Sequence, residues 1–223
     1  STHATLSIQE GSIIPSTAYP SVTSDTFLDT GTIYTNRGSS SSLYVGRSQV
    51  STSNANLRSM SLMNMNFSAL PMPGTYEVID ASLEFTVLNT YQSTLIAVSE
   101  MTSSWSESSV FAYPAGNTSS WAQTGGFTIR DSDIPFNAAQ WVNETGTAAF
   151  NVTAYVQHAL NNNMAELDIV LFPVELETGV DGRGQFASSE ASNIDVRPRL
   201  NLTYRLVDAW VPSQPTGLTP VDG

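Results

Sequence analysis

The sequence lacks cysteine and lysine entirely, since all eight of its basic residues are arginine. The absence of cysteine excludes disulfide bonds, thiolate metal sites and thiol nucleophiles. Only two histidines occur, His3 and His158, so the chain offers little base for nucleophilic catalysis by a Ser-His-Asp arrangement. No apolar run approaches the length of about 18 residues that a membrane-spanning helix needs. These absences disfavour an enzyme and predict that the chain does not insert into a membrane.

The chain is also poor in charge, and the charge that it has is mostly negative. Charged residues make up 13% of the sequence, about half the share usual in soluble domains. The net charge is −12 and the pI is about 4.3. Nucleic acid is excluded as a partner because there is no basic stripe to neutralise phosphates. A polyanionic glycan such as alginate would be repelled as well, unless Ca²⁺ bridges it to the protein.

Hydroxyl side chains take the place of the missing charges. The sequence contains 31 serines and 24 threonines, and 40% of its residues are hydrophobic, which is enough for a sizeable core. A surface solvated by hydroxyls and amides is typical of extracellular β modules. A length of 223 residues suits one large all-β domain. The composition therefore predicts an extracellular or cell-surface location.

Short β-branched or alternating segments bounded by Gly, Pro, Asn and Ser predict β-strands. The two strands at 78–88 and 94–100 are expected to pair as an antiparallel hairpin. One short helix is predicted at 154–160, with Thr153 as its N-cap. From Trp210 the chain becomes rich in Pro and Gly, so residues 1–209 are interpreted as one module and 210–223 as a linker to a following module. The other predicted strands lie at 4–14, 25–29, 43–45, 60–65, 127–129, 147–152, 166–173, 185–188 and 199–207.

Four phrases occur in a fixed order along the chain: SDTFLDTGTIYTNRGSSSSLYVGR from Ser24, MTSSWSESSVFAYP from Met101, FNVTAYVQ from Phe150 and GQFASSEASNIDVRPRLNLTY from Gly184. Together they resemble the disaggregatase-related family, also called DNRLRE domains. These are extracellular β-sandwich modules, some of them classed as carbohydrate-binding. The resemblance implies an antiparallel β-sandwich of jelly-roll type, but it does not imply a particular ligand.

Tryptophans in polar, loop-like surroundings are the candidate ligand platforms, because sugar C–H faces stack on aromatic rings. Trp121, Trp141 and Trp210 fit this description. Trp105 in the WSES phrase could form a platform beside Glu107, but the alternative is that Trp105 anchors the core and Glu107 fixes the following loop. Relatives of this family are thought to keep catalysis in separate domains, so no catalytic residues are assigned.

Acidic residues raise the question of a structural calcium ion, which binds six to eight oxygen ligands. The spacing of Asp131 and Asp133 is geometrically the easiest, and no EF-hand spacing occurs. Asp25 and Asp29 lie four residues apart in an extended segment, about 13 Å, which is too far to chelate one ion. A structural calcium at Asp131 and Asp133 is therefore the one cofactor considered. The acidic positions that prompt the question are Asp25, Asp29, Asp131, Asp133, Asp181 and Glu190.

Five N-x-S/T sequons mark candidate glycosylation sites. Their number is about what the content of Asn, Ser and Thr yields by chance. Asn66 and Asn151 stand where relatives of the family often carry aspartate, so each keeps a hydrogen-bonding side chain without the charge. The five sequon asparagines are Asn66, Asn117, Asn143, Asn151 and Asn201.

Two functions follow from these features. The first is a non-catalytic extracellular module that binds a polysaccharide, within a larger secreted or surface protein; a neutral glycan fits the charge best. The second is a structural module of a cell-surface array, adhesin or filament, whose partners are neighbouring modules. In that case the alternating N-terminal segment could be donated as a strand to an open sheet edge of a neighbour.

Overall fold

The computed structural model describes residues 16–49, 56–68, 70, 76–101, 104–109, 138–174 and 182–206. These residues form β-strands, one α-helix and a 3₁₀ turn at Ile194–Val196. Every strand pair among them is antiparallel. The predicted all-β class with one short helix is thereby confirmed. The elements are β1 Ser16–Ala18, β2 Ser21–Asp29, β3 Ser42–Gln49, β4 Asn56–Asn66, β5 Tyr76–Tyr91, β6 Thr94–Glu100, β7 Ala139–Val142, β8 Gly146–Asn151, α1 Thr153–Asn161, β9 Glu166–Pro173, β10 Gly182–Ala187 and β11 Arg199–Leu206.

The strands join one continuous sheet that closes on itself. The order β2, β4, β3, β10, β5, β11 returns to β2, which gives a barrel of six strands. The closure between β11 and β2 is narrow, since Arg199 and Ser21 are its one registered pair. Strands β9, β6 and β7 extend outward from β4, β8 pairs with β5, and β1 pairs with β11. The expected jelly-roll sandwich has two separate sheets, whereas the strand pairing here gives one continuous, closed sheet.

Strand β5 makes the closure possible because three strands pair with it. Glu84 lies opposite Arg199 on one edge and opposite Ala149 of β8 on the other. Val87 lies opposite Phe186 of β10 and again opposite β8. Strands β11 and β10 therefore follow one another along the same edge of β5. A strand of 16 residues is long enough to serve both.

The main core lies between the two halves of this sheet. It receives Leu83, Phe150 and Leu200 from β5, β8 and β11, and Met63 and Ile169 from β4 and β9. Alternation along the predicted strands predicts ten inward-pointing side chains, and all ten are buried. Nine belong to this main core, namely Leu83, Phe85, Val87, Ile96, Val98, Ile169, Leu171, Leu200 and Leu202.

The tenth residue, Leu62, belongs to a second core on the opposite face of β4. This second core contains Leu28, Met60, Leu62, Met101 and Val170, and Trp105 and Phe172 pack against it. Strand β9 is buried on both faces for this reason, which explains its continuous apolar run. The segment that follows β6 is thus fixed to the outer face of the sheet.

The predicted hairpin between the strands at 78–88 and 94–100 is wrong. Strand β5 ends opposite β10 and β6 begins opposite β7, so the two consecutive strands do not pair with each other. Gln92 takes a positive φ of 59° in the connection between them. Gly182 of β10 packs against this connection, where a Cβ atom would lie 2.5 Å from the Ser93 carbonyl oxygen. The connection from β5 to β6 therefore passes so close to β10 that only glycine fits at position 182.

The helix forms where it was predicted, but Thr153 is not its N-cap. The residue before the helix is Val152, which provides no capping side chain. Asn151 Oδ1 accepts a hydrogen bond from the Thr153 N–H (3.0 Å), and Thr153 Oγ1 accepts one from the Ala81 N–H (2.9 Å). The threonine hydroxyl thus ties the helix to β5, and the preceding asparagine satisfies a first-turn N–H. The described residues contain no helix with the length and apolarity needed to cross a membrane.

A buried carboxyl pair connects β2 to the turn after β10. Asp25 is 1% exposed, and its Oδ2 accepts a hydrogen bond from the Ser189 N–H (2.6 Å). Ser189 Oγ donates to Glu190 Oε1 (2.7 Å), while Glu190 Oε2 is buried without a partner. Ser188 Oγ donates to the Ser40 carbonyl (2.6 Å) and so includes the loop between β2 and β3. We call Asp25, Ser188, Ser189 and Glu190 the acid latch.

The latch also fixes the position of the WSES segment. Gly38 belongs to the loop that Ser188 holds, and it packs directly against Glu107. A Cβ atom on Gly38 would lie 2.3 Å from the Glu107 carbonyl oxygen. The backbone of the WSES segment is therefore held against a loop that is itself held by the latch.

Two arginine side chains place their planar guanidinium groups over aromatic rings. The guanidinium of Arg183 lies 4.1 Å from the centre of the Tyr44 ring, and that of Arg37 lies 5.4 Å from the Phe27 ring. The two rings contact each other edge to face at 5.0 Å. Lysine cannot stack on a ring with a planar group, so these contacts give a reason for arginine at two of the eight basic positions.

Leu200→Ala is expected to lower the free energy of unfolding by about 2–5 kcal/mol, because truncation leaves a cavity in the main core. The control is Ile194→Ala, at a side chain that is 71% exposed, which is expected to change the free energy by less than about 0.5 kcal/mol. Urea unfolding measures both. Equal and small effects would mean that β11 does not close the main core.

The acid latch predicts a stability that falls as the pH rises. Burial, with a smaller contribution from Glu190, raises the pKa of Asp25 to about 8 from its ordinary 3.8. The folded state then binds more protons than the unfolded state between those two values, so stability decreases with pH across this window and levels off above it. The slope reaches at most about 1.4 kcal/mol per pH unit for one proton. Urea midpoints measured from about pH 5 to pH 9 test this.

Two substitutions on β2 test whether Asp25 causes this pH dependence of stability. Asp25→Asn keeps an acceptor for the Ser189 N–H but cannot titrate, and it should flatten the slope. Asp29→Asn should keep the slope of the wild type, since Asp29 accepts a hydrogen bond from Gly31 at an exposed loop start instead. A wild-type stability that rises between about pH 5 and pH 8 would contradict the prediction.

Candidate functional site

A groove of about 530 Å³ opens where three strand ends meet the WSES segment. Because β4 runs antiparallel to both β2 and β9, its end lies beside the starts of those strands. Ser24, Asn64 and Asp168 consequently stand side by side across the sheet. The described residues that line the groove are Thr23, Ser24, Asn64, Trp105, Ser106, Glu107, Ser108, Glu166 and Asp168.

The sheet side of the groove is a fixed hydrogen-bond network centred on Asn64. Thr23 Oγ1 donates to Asn64 Oδ1 (2.7 Å). Asn64 Nδ2 donates to Asp168 Oδ1 (2.9 Å) and to Glu166 Oε2 (3.3 Å). Asn66 Nδ2 donates to Glu166 Oε1 (3.2 Å). Both donor hydrogens of Asn64 are therefore used within the protein, and both oxygens of Glu166 are held.

The other side of the groove is the WSES segment. Its turn is closed by Ser109, whose N–H donates to the Ser106 carbonyl (2.8 Å) and whose Oγ accepts from the Ser106 N–H (2.9 Å). Ser106 Oγ and Ser108 Oγ bond to each other at 2.7 Å. Trp105 is half-buried between the second core and the groove. This turn exposes Ser106, Glu107 and Ser108 to the groove.

The structure bears separately on Trp105 and on Glu107 of the WSES phrase. Trp105 does anchor the segment, since it packs against the second core, yet it also lines the groove. Its Nε1 is buried and has no hydrogen-bond partner. Glu107 is exposed, and no described residue bonds its carboxylate. The loop that it was expected to fix continues beyond residue 109, outside the described residues. Only its backbone makes the close contact with Gly38.

The groove is strongly acidic. Glu107, Glu166 and Asp168 line it, and no basic residue is among the described lining residues. The arginine ion pairs in the described ranges lie elsewhere, between Arg199 and Glu84 and between Arg205 and Glu77. The groove thus presents hydroxyls and hydrogen-bond acceptors beside one aromatic ring.

No cluster of three or more His, Cys, Asp or Glu side chains suited to a metal ion occurs within the described ranges. Asp25 and Glu190 belong to the acid latch, and Asp29 caps its own loop. The predicted calcium ligands, Asp131 and Asp133, lie outside the described residues, as does Asp181.

Trp141 is exposed, but it lies away from the groove. It is 56% exposed on β7, opposite Leu95 at the start of β6. Met101, just after β6, donates its N–H to the Asp168 carbonyl beside the groove (2.8 Å). Six residues of strand separate Leu95 from Met101, about 20 Å. Trp141 and the groove are therefore different surfaces, and Trp121 and Trp210 lie outside the described residues.

The sequon asparagines have different surroundings. Asn66 Oδ1 accepts from the Ser68 N–H (2.7 Å), as Asn151 does from Thr153, so both keep the hydrogen-bonding role that an aspartate would have. Asn143 is exposed in the connection between β7 and β8, and Asn201 is half-buried in β11. Asn117 lies outside the described residues.

Sequence reasoning did not find the sheet side of the groove. Its signal is an alternation of polar residues, Asn64 with Asn66 at the end of β4 and Glu166 with Asp168 at the start of β9. Residues two apart share a face of a strand, but each pair taken alone is also typical of a solvent-facing strand end. Only the pairing of β4 with β9 brings the four side chains together.

A scan against protein-family models and a comparison with curated proteins found no match to this chain. Its resemblance to the disaggregatase-related domains is therefore a proposal that depends on the four sequence phrases.

Proposed function

We propose that this chain is a non-catalytic, extracellular glycan-binding module and that the groove beside Trp105 is its binding site. The observation that carries the proposal is the combination of one aromatic wall with a lining of hydroxyls, an amide and carboxylates. A sugar ring presents C–H faces, which pack on aromatic rings, and hydroxyls around its edge, which donate hydrogen bonds to carboxylates. The groove offers partners for both.

The size of the groove fits a short oligosaccharide. Its volume of about 530 Å³ lies within the range of about 300–1,000 Å³ typical of small-molecule sites. Its network is also pre-formed, since Asn64 is held by Thr23, Asp168 and Glu166 before any ligand binds. A pre-organised polar wall reduces the entropy lost on binding.

The same network supports binding without catalysis. Glycoside hydrolysis needs one carboxyl group to protonate the leaving oxygen and a second to act as base or nucleophile. Both oxygens of Glu166 accept hydrogen bonds from asparagine amides, and one oxygen of Asp168 does as well. Glu107 is then the one lining carboxylate without a described hydrogen-bond partner.

The family and the finer fold belong to the same proposal. We infer that the chain is a disaggregatase-related module and that its closed sheet is a variant of the jelly-roll sandwich. In support, three of the four phrases meet in space: Asp25 of the first bonds Ser189 of the fourth, and Gly38 of the first packs on Glu107 of the second. The main core also receives side chains from both halves of the sheet, as in a sandwich.

A structural role in a surface array is the second candidate function. Among the described residues, β7 pairs only with β6 and β8 only with β5, so each has a second edge without a described partner strand. A strand donated by residues 1–15 of a neighbouring copy could add to the edge of β7. Light scattering on the whole chain and on a chain shortened by those residues tests this candidate. It requires assembly that disappears on truncation, and a monomer in both cases excludes it.

Binding at the groove predicts unequal effects for two tryptophans. Screening against neutral oligosaccharides should find a ligand with a Kd on the order of 10–1000 μM, which corresponds to a binding free energy of about −4 to −7 kcal/mol. Trp105→Leu keeps apolar contact with the second core but removes the ring, so affinity should fall by about 2- to 12-fold, equivalent to about 0.5–1.5 kcal/mol. Trp141→Leu makes the same change on the distant surface and should leave affinity unchanged.

Calorimetric titration gives the affinities, and thermal unfolding shows that each variant remains folded. If only Trp141→Leu lost binding, the binding site would be on β7 and not in the groove. Binding of no glycan would refute the function itself. Hydrolysis of a bound oligosaccharide that Glu107→Gln abolishes would show that the module is an enzyme.

A further inference from the structure

We infer that the groove selects glycans that carry free amino groups and rejects those that carry carboxylates. The inference depends on the proposed glycan-binding function and names the class of ligand. It follows from the charge of the groove, from the direction of its unused hydrogen-bonding groups and from the position of Trp105.

Among the described residues, the negative charge of the groove has no basic side chain to compensate it. Three carboxylates, those of Glu107, Glu166 and Asp168, line one cavity without a basic residue among the described lining residues. None of the three forms an ion pair in the described part of the chain, and the protein as a whole carries a net charge of −12. A uronic acid would meet repulsion from each of the three, whereas an ammonium group would be attracted by each.

The hydrogen-bonding groups left over for a ligand are mostly acceptors. The donors of Asn64 are both used by Asp168 and Glu166. The hydroxyls of Ser106 and Ser108 bond to each other, so one of their two hydrogens is taken. The oxygens of Glu107 and the second oxygen of Asp168 have no described donor. A ligand must therefore bring donors, and an ammonium group brings three, together with a positive charge.

Trp105 also favours a positively charged ligand, for a reason independent of the carboxylates. The face of an indole ring attracts cations through its quadrupole, and tryptophan does so more strongly than tyrosine or phenylalanine. Trp105 lines the groove together with the carboxylates of Glu107, Glu166 and Asp168. Trp105 thus favours the C–H face of a sugar or a nearby ammonium group over a carboxylate, since its one donor, Nε1, is buried.

Oligosaccharides that differ at one position give the test. β-1,4-linked oligomers of glucosamine, N-acetylglucosamine, glucose and glucuronate share a pyranose ring and can be matched in length and linkage. At about pH 6 most of the amines are protonated. The glucosamine oligomer should bind at least about tenfold more tightly than the N-acetylated one at about 50 mM salt, and this advantage should shrink at about 500 mM salt. The glucuronate oligomer should not bind measurably.

Charge-neutralising variants connect the preference to the groove. Glu107→Gln and Asp168→Asn should each reduce the ratio of affinities, amine over N-acetylated oligomer, by about threefold or more. The matched control is Glu144→Gln, which removes one exposed carboxylate from the distant connection between β7 and β8 and should preserve the preference.

The possible outcomes separate the two proposals. Equal binding of the amino and N-acetyl oligomers, or tighter binding of the glucuronate oligomer, would overturn the charge selection and leave the glycan-binding function in place. An equal loss in Glu144→Gln and Glu107→Gln would show a general attraction to an acidic protein, which also overturns the inference. Binding of none of the four oligomers, nor of other neutral glycans, would overturn the function and the inference together.

Discussion

The pairing of β5 with three other strands is the constraint on which the rest of the structure depends. Strands β11 and β10 share one edge of β5, and β8 occupies the other. This arrangement closes the barrel and leaves β9, β6 and β7 to extend from β4 alone. The extension creates a second apolar face, which the segment after β6 covers with Met101 and Trp105. The groove exists because that segment then turns back over the ends of β2, β4 and β9.

The buried carboxyl group of Asp25 joins the first phrase of the sequence to the fourth. Asp25 and Glu190 lie in different phrases, and Ser189 bonds to both. The latch fixes the loop of Ser40, and the same loop packs its Gly38 against Glu107. The WSES segment is thus positioned by contacts some distance away in sequence, while its exposed side chains remain free to differ in what they bind.

The fold class could be predicted because it depends on local patterns. Alternation predicted the ten inward residues and each described strand except β1 and β7, and helix formers after Thr153 predicted α1. The hairpin was wrong because a short gap between two predicted strands does not reveal whether they pair or separate into different regions of the sheet. The N-cap was wrong because Ala81, distant in sequence, bonds the hydroxyl of Thr153. The groove was found only in part, since Asn64 and Asp168 meet through strand pairing, which no local pattern encodes.

One side chain on β7 bears on how the edge of β8 is protected from pairing with another strand. With its amide oriented so that both polar atoms are satisfied, Gln140 donates to the Ala149 carbonyl (2.6 Å) and accepts from the Ala149 N–H (3.3 Å). These two backbone groups lie on the edge of β8 that faces away from β5. Unpaired groups on such an edge are the ones to which a strand of another chain would hydrogen-bond. The glutamine amide imitates a peptide bond there and occupies that position on the edge. Another chain therefore meets an edge of β8 whose backbone groups at Ala149 are already hydrogen-bonded, without a charged residue at that position.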